Sequence, residues 1–154
     1  MIKVLFVCHG NICRSPMAEF LLKDEIKKAG LEKEAFVASA ATSTEEIGNM
    51  PHYGTRAKLA EFNISTKGKY AVQMSRDDYL KYDYIFGMDS MNVRNILRIT
   101  GGDPEEKVYR FLDITDTPED VADPWYTGDF DKTYSQIKKG IDVLISEIKK
   151  VSQN

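Results

Sequence analysis

The segment VCHGNICRSP, residues 7–16, contains both cysteines of the chain together with an arginine. A loop that binds an anion needs free backbone N–H groups and a positive charge, and this segment offers both. Gly10 lets the backbone curl, Asn11 tolerates a left-handed conformation, and the planar guanidinium of Arg14 suits two phosphoryl oxygens. Cys8 would lie at the floor of this cradle, where the same groups favour its thiolate form. The residues therefore predict attack by a cysteine sulfur on phosphorus.

The predicted reaction needs neither a metal nor a cofactor. Cys8 would form a cysteinyl-phosphate, and water would then release inorganic phosphate while Arg14 holds the phosphoryl oxygens. Nothing in the sequence marks either histidine, His9 or His52, as a general base, so the loop itself has to stabilise the thiolate. Zinc coordination by Cys8 and Cys13 is disfavoured, because no second cysteine pair or histidine cluster completes a site.

The residues on either side of this segment predict a strand before it and a helix after it. Ile2 to Val7 is a run of β-branched and aromatic residues, which is typical of a buried strand. Ser15 and Pro16 suit the cap and the first position of a helix, whose apolar stripe stops near Gly30. The dipole of that helix would point its positive end at the loop.

Further along the chain, predicted strands alternate with predicted helices. The strands are 2–7, 36–40, 84–88 and 107–112, and the helices are about 16–29, 53–62, 75–82, 90–99 and 130–151. Alternation of this kind implies a parallel sheet with right-handed crossovers, and ligands of such sheets bind beyond the carboxyl ends of the strands. The prediction is a single three-layer α/β domain over 1–154, with helices on both faces and the phosphate-binding loop after the first strand.

Two other segments leave a choice of interpretation. Residues 113–129 are acidic and contain proline and threonine, so they are predicted to form a loop. The apolar residues of the last helix recur at spacings of four and three, which would also permit a coiled coil. A helix that covers its own sheet is favoured, because a parallel sheet needs helices on its faces.

Composition excludes several classes of protein. The chain has 154 residues and a net charge of −3, so it has no general attraction to nucleic acid or to an anionic membrane. It is too long to need a disulfide framework, and its two cysteines do not form one. No apolar run reaches membrane-spanning length, and the first apolar run is too short for a signal peptide. We expect a cytoplasmic protein.

The sequence resembles the low-molecular-weight protein tyrosine phosphatases. The likeness extends over essentially the whole chain and includes the loop at 7–16, MDSMN at 88–92 and DPWY at 123–126. It implies a four-stranded parallel sheet and hydrolysis of phosphotyrosine in proteins, with inorganic phosphate or similar oxyanions as product or inhibitor. By this resemblance Cys8 is the nucleophile, Arg14 binds the phosphoryl group, and Asp123 is the general acid that later activates water.

The resemblance also implies the remaining site residues. The phosphate-binding set is His9, Gly10, Asn11, Ile12, Cys13 and Ser15. The Ser15 hydroxyl would stabilise the thiolate, and Asn11 and Ser39 belong to a hydrogen-bond network that holds the loop. Trp125 and Tyr126 would form walls for the aromatic ring of the substrate.

Four positions bear on regulation and substrate preference. The family implies that Cys13 forms a disulfide with Cys8 under oxidation and so protects it from irreversible over-oxidation. Glu45 stands where an aromatic residue often lines the pocket mouth, and Gly68 stands where a histidine can extend the loop network. Together with Glu46, Glu45 would repel acidic sequences, so we expect tolerance for basic residues around the phosphotyrosine.

Three alternative functions remain open. A thioredoxin-coupled arsenate reductase needs further cysteines late in the chain, and none follows Cys13. Protein-arginine phosphatases of the same family carry a small polar residue where the apolar Ile12 stands. A non-catalytic phosphoprotein-binding module would lack the nucleophile or the acid, whereas Cys8, Arg14 and Asp123 are all present.

Overall fold

A computed structural model describes residues 1–153, in which four parallel strands form one sheet in the order β2-β1-β3-β4. The strands are β1 Ile2–Cys8, β2 Ala35–Ala41, β3 Tyr84–Gly87 and β4 Val108–Arg110. Cys8 pairs with Ala41, and Val7 pairs with Gly87. Because the strands are parallel, their carboxyl ends meet at one edge, and the cysteine-containing loop starts there. The predicted four-stranded parallel sheet is confirmed.

Helices connect and cover these strands. They are α1 Arg14–Lys28, α2 Tyr53–Ala60, α3 Asp78–Lys81, α4 Ser90–Thr100, α5 Pro124–Thr127 and α6 Phe130–Ser152, with a 3₁₀ helix at Phe111–Ile114. Within residues 1–153, no helix is both long and apolar enough to cross a membrane.

Side chains of β1 enter two separate cores because successive residues of a strand point to opposite faces. Val4 and Phe6 join the core that contains α1 and α6, whereas Leu5 and Val7 join the core that contains Ile96 of α4. The sheet therefore lies between two helical layers, as predicted. The Phe6 ring packs between those of Phe86 and Phe111, with centroids 5.8 Å and 5.2 Å away, and truncating such a buried ring to alanine costs about 3–5 kcal/mol.

The apolar repeat of α6 is used by this chain's own core. Ile137, Ile141, Leu144 and Ile148 are all buried in the cluster that covers β1. The interpretation of α6 as a helix that covers its own sheet is therefore correct, and its heptad spacing reflects packing on the sheet.

Several predicted boundaries shift by one to three residues, and two differences from the prediction have a clear physical cause. The fourth strand ends at Arg110, because the next residues turn into the 3₁₀ helix. Phe111 and Leu112 are both buried in the same core, which a continuous strand with alternating side chains could not achieve. Within the predicted loop at 113–129, Pro124 begins the short helix α5, and the Asp123 carboxylate accepts from the Trp125 N–H as its N-cap.

Candidate active site

Several backbone N–H groups of the loop after β1 have no acceptor among the described residues. Asn11 is fully buried with a φ of 60°, and its N–H points at the Cys8 sulfur at 3.3 Å. In the described part of the chain, the backbone N–H groups of residues 12–15 donate to no hydrogen-bond acceptor. The carbonyls of Ile12 and Cys13 instead face α2, where they accept from the His52 N–H at 2.7 Å and from a threonine hydroxyl at 2.9 Å. The loop is therefore an anion cradle at the N-terminus of α1.

Gly10 and Asn11 shape the loop in different ways. Asn11, and not Gly10, adopts the left-handed conformation. A Cβ at Gly10 would come within 3.3 Å of the Glu46 side chain, a tight contact that glycine avoids.

The Cys8 sulfur lies at the base of a cavity of about 360 Å³. Ten of the predicted site residues line this cavity: Cys8, His9, Gly10, Ile12, Cys13, Arg14, Glu45, Asp123, Trp125 and Tyr126. The other three, Asn11, Ser15 and Ser39, are buried behind the loop. A larger open cleft of about 590 Å³ lies elsewhere, beside residues 63–70, and does not include Cys8.

Arg14 is held rigidly beneath the cradle. Its Nη1 donates to Asp89 Oδ2 at 2.8 Å and to the Val121 carbonyl at 3.0 Å. Burial by itself would lower the pKa of Arg14, but the Cys8 sulfur and the carboxylates of Asp89 and Asp123 outweigh burial and raise it. Within residues 1–153, the Nε and Nη2 edge of the guanidinium has only a long 3.4 Å contact with Asp123. This edge can therefore donate hydrogen bonds to two phosphoryl oxygens.

Asp123 stands on the opposite wall of the cavity, far from Cys8 in sequence. Its Oδ1 accepts from the Trp125 N–H at 3.0 Å, and its Oδ2 lies 3.4 Å from Arg14 Nη2. Pro124 at the first position of α5 fixes the backbone directly after it. The carboxyl group is thus oriented by α5 and by the arginine that would hold the phosphoryl group.

Two aromatic side chains and a histidine–glutamate contact lie at the rim. Trp125 and Tyr126 are exposed at the mouth, and the His52 ring contacts Trp125 edge-on with centroids 5.9 Å apart. His9 Nε2 lies 2.8 Å from Glu45 Oε2. The rim is therefore aromatic on one side and acidic on the other, where Glu45 and its sequence neighbour both line the cavity.

Behind the loop, Ser15 does not cap α1 as the sequence predicted. The N-cap is Cys13, and no side chain caps the helix. The Ser15 hydroxyl is engaged elsewhere: it lies 3.0 Å from Cys8 Sγ and accepts from Asn11 Nδ2 at 2.8 Å. Asn11 Nδ2 also donates to the Ser39 hydroxyl at 2.9 Å. The contact with sulfur takes precedence over capping because both groups are buried and need partners.

Cys13 and Cys8 are both buried free thiols, but their surroundings differ. Burial raises the pKa of the Cys13 thiol to about 12, and the nearby Cys8 sulfur adds to the effect. Cys13 therefore stays protonated near neutral pH.

Sequence reasoning missed two carboxylates at the site. Asp89, to which the sequence analysis gave no role at the site, caps α4 and also binds Arg14. Glu19 of α1 is only 3% exposed and accepts from the Ser39 hydroxyl. The segment MDSMN, which contains Asp89, is part of the family resemblance and could have indicated its role. Glu19 lies within a predicted helix, where its position does not distinguish it from a solvent-exposed residue.

Comparisons with known proteins agree with this geometry. A family model described as low molecular weight phosphotyrosine protein phosphatase matches residues 3–154. The chain belongs to this family. It is 41% identical over 155 residues to low molecular weight protein-tyrosine-phosphatase YfkJ of Bacillus subtilis, covering 99% of each. The crystal structure of YfkJ matches with a TM-score of 0.93 over 97% of this chain and 96% of that one. As a low molecular weight phosphatase, the chain is a hydrolase, and its substrates are phosphoproteins.

Two other structures show how widely this fold is used. SP-PTP, a low molecular weight protein tyrosine phosphatase from Streptococcus pyogenes, is 40% identical, with a TM-score of 0.85 over 96% of this chain and 93% of that chain. DARP, a Drosophila arginine phosphatase, is 27% identical with a TM-score of 0.86 over 96% of this chain and 98% of that chain. The fold alone therefore does not decide which phosphorylated side chain is hydrolysed.

Proposed function

We propose that this phosphatase hydrolyses phosphotyrosine in proteins through a cysteinyl-phosphate, with Cys8 as nucleophile, Arg14 as phosphoryl ligand and Asp123 as general acid and base. The observation that carries the proposal is that these three side chains line one cavity, with Arg14 in contact with Asp123. We further propose that the chain forms one phosphatase domain, since both cores are built on the same sheet.

In the first step the phosphoryl group enters the cradle. Its oxygens accept hydrogen bonds from the backbone N–H groups of residues 12–15 and from Nε and Nη2 of Arg14. These donors offset the negative charge of the transition state. The Cys8 sulfur forms a bond to phosphorus as the bond to the tyrosine oxygen breaks. Asp123 gives its proton to that oxygen, because a phenolate that leaves unprotonated leaves slowly.

In the second step water replaces the product tyrosine. The Asp123 carboxylate takes a proton from the water, whose oxygen attacks phosphorus while the bond to Cys8 breaks. The sulfur leaves as a thiolate that the Ser15 hydroxyl stabilises at 3.0 Å. Inorganic phosphate is released, and Asp123 is protonated again for the next turnover.

The proposal is tested with p-nitrophenyl phosphate in the presence of a chelator. We expect turnover in the wild type, loss of turnover in Cys8→Ser, and competitive inhibition by inorganic phosphate. A chain that binds phosphate but shows no turnover would be a binding module, and the proposal would be wrong.

The lining of the pocket favours phosphotyrosine over phosphoarginine. Ile12 and Trp125 offer apolar surface that matches an aromatic ring. Peptides that carry either phosphorylated residue in the same flanking sequence separate the two activities. Faster hydrolysis of the phosphoarginine peptide would assign the chain to the arginine phosphatases.

We also propose a reducing compartment, the cytoplasm, as the site of action. Cys8 and Cys13 are free thiols, and the first of them must remain free to attack phosphorus. Mild oxidation would join the two sulfurs and inactivate the enzyme reversibly. Phosphotyrosine proteins are the proposed partners, and we propose neither nucleic acid nor membrane as a ligand, because the net charge of −3 gives no attraction to either.

A further inference from the structure

A buried carboxylate ends the hydrogen-bond network that starts at the nucleophile. Glu19 of α1 is only 3% exposed, and its Oε1 accepts the hydroxyl proton of Ser39. A hydroxyl has a single proton, so the Ser39 oxygen can only accept from its other neighbour. That neighbour is Asn11, whose Nδ2 lies 2.9 Å away.

A backbone amide fixes the orientation of Asn11. The N–H of Val72, which can only donate, lies 3.2 Å from Asn11 Oδ1. The Nδ2 group must therefore face the two serines, and it donates to Ser39 and to Ser15 at 2.8 Å. Both ends of the amide are thus assigned by groups whose direction of donation is known.

The orientation of Asn11 also decides which atom donates in the contact between Ser15 and Cys8. Because Ser15 Oγ accepts from Asn11, its own proton is free to point at Cys8 Sγ, 3.0 Å away. A proton donor at this position favours the thiolate over the thiol. Asn11 therefore donates to Ser39, which donates to Glu19, and it also donates to Ser15, whose own proton is left for the Cys8 sulfur.

Lys69 is a second positively charged partner of the buried Glu19 carboxylate. Its side chain is 11% exposed, and Nζ lies 3.4 Å from Glu19 Oε1 and donates to the Ser39 carbonyl at 2.9 Å. Burial lowers the pKa of Lys69, although the Glu19 carboxylate opposes the effect. Lys23, one turn along α1, also binds Glu19 but is 45% exposed. Lys69 directly follows Gly68, the position at which the family resemblance places a histidine that can extend the loop network.

We propose that Glu19 and Lys69 are positioning residues that set the direction of the Ser39, Asn11 and Ser15 hydrogen bonds and so hold Cys8 in its reactive form. This inference rests on the proposed role of Cys8 as nucleophile. A neutral group at Glu19 could donate to Ser39 and allow it to release Asn11. Without Lys69, the half-exposed Lys23 would be the one cation within residues 1–153 that still pairs with Glu19.

Other charged groups also face these two centres and have to stay constant in a test. Cys8 is influenced by Arg14, by Asp123 and by the Lys69 ammonium, and its thiol neighbour Cys13 lies on the same loop. Glu19 faces two lysines, Lys23 and Lys69, and lies near the Tyr82 hydroxyl. Substitution at Glu19 or Ser39 alters none of these other groups, whereas Lys69→Met also removes a positive charge that acts on Cys8, so Glu19→Gln is the deciding variant.

The test measures the reactivity of Cys8 without turnover. Iodoacetamide alkylates thiolates, and mass spectrometry of the loop peptide reports which cysteine reacts. The rate is followed from pH 4 to 9 in the wild type, Glu19→Gln and Lys69→Met, with thermal melting as a check on folding. Lys107→Met is the matched control, because Lys107 is 12% exposed, binds two backbone carbonyls, and precedes β4 at the opposite end of the sheet.

We expect Glu19→Gln and Lys69→Met to move the acidic limb of the profile to higher pH, Glu19→Gln by about one pH unit, so that alkylation below the limb slows about tenfold. Lys107→Met should lower the melting temperature and leave the profile unchanged. If Glu19→Gln does not fold, Ser39→Ala breaks the same chain of bonds and should shift the limb in the same direction.

Two failures are distinguishable. A limb that is identical in the wild type and in all folded variants would overturn the role of Glu19 and Lys69 while the proposed phosphatase mechanism stands. A wild-type Cys8 that reacts no faster than an ordinary cysteine at neutral pH would instead contradict the proposed nucleophile.

Discussion

Asp89 joins the N-terminus of α4 to the arginine of the phosphate cradle. Its Oδ1 accepts from the Asn92 N–H at 2.7 Å, and its Oδ2 accepts from Arg14 Nη1 at 2.8 Å. One carboxylate therefore caps the N-terminus of α4 and also orients the Arg14 guanidinium. Because Arg14 is buried, the loss of this partner would leave a charged group incompletely paired.

Replacing Asp89 by alanine should reduce both stability and activity. Loss of an N-cap costs about 1 kcal/mol, and release of Arg14 should raise KM for p-nitrophenyl phosphate about tenfold. Asp129→Ala is the control, because Asp129 caps α6 through the Lys132 N–H at 2.9 Å and does not contact Arg14. Urea unfolding and steady-state kinetics measure the two effects. Equal KM changes in both variants would show that Asp89 acts only as a cap.

Replacing Asp123 by asparagine should slow catalysis without preventing phosphate binding. A positioned acid contributes about 10²–10⁴-fold, and we expect this loss in kcat for phenyl phosphate. The loss should be smaller for p-nitrophenyl phosphate, whose leaving group needs less protonation. Asp116→Asn, in the same acidic segment, provides the comparison, and a similar loss in that variant would remove the reason for choosing Asp123.

Peptides with basic residues beside the phosphotyrosine should be preferred. Glu45 is paired with His9, so Glu46 supplies the less compensated charge at the rim. An exposed charge pair contributes up to about 1 kcal/mol, or about fivefold in kcat/KM. The preference should diminish in Glu46→Gln and at high salt. Stronger turnover of acidic peptides by the wild type would contradict it.

Peroxide should inactivate the enzyme reversibly only when Cys13 is present. Cys13 and Cys8 line the same cavity, and a disulfide between them would stop oxidation of Cys8 before the irreversible acids form. Activity is measured before peroxide, after it, and after reduction with dithiothreitol, each relative to the untreated variant. Cys13→Ser should recover far less activity than the wild type. Equal recovery would exclude this role.

The Cys13 thiol should also make stability fall in alkaline solution. Its pKa is raised from 9.0 to about 12 in the folded chain. As pH rises through 9, the unfolded chain loses this proton first, so the unfolded state is favoured from about pH 9 upward. Urea unfolding at pH 8 and pH 10.5 should show a larger loss for the wild type than for Cys13→Ser. A loss of the same size in both would contradict the raised pKa.

Much of the fold and of the loop was predictable from local patterns. The run Ile2–Cys8 is β-branched and aromatic, and Gly101 ends α4 in a left-handed conformation, as glycines at helix ends commonly do. The boundaries near Phe111 were not predictable, because burial of two successive residues in one core decided them. Local propensity does not contain that information.

The contacts of Ser15 at the site also depend on tertiary burial, which local sequence patterns do not contain. Ser-Pro before an apolar stripe predicts a helix cap, and the helix does begin there. Its hydroxyl nevertheless faces Cys8 and Asn11, because burial of the loop makes those contacts compulsory. The helix cap that Ser-Pro predicts is not formed by Ser15, and its hydroxyl instead lies beside Cys8, the contact that the family resemblance implied.

The sequence by itself determined the strand, the curled loop and the helix that follows, because these depend on neighbours within a few residues. Only the tertiary structure brought Asp89 to Arg14 across 75 residues and Asp123 to Arg14 across 109. It also buried Glu19 against Lys69. Parallel strands bring their carboxyl ends to one edge whatever the length of chain between them, so contacts there follow from the sheet order rather than from spacing.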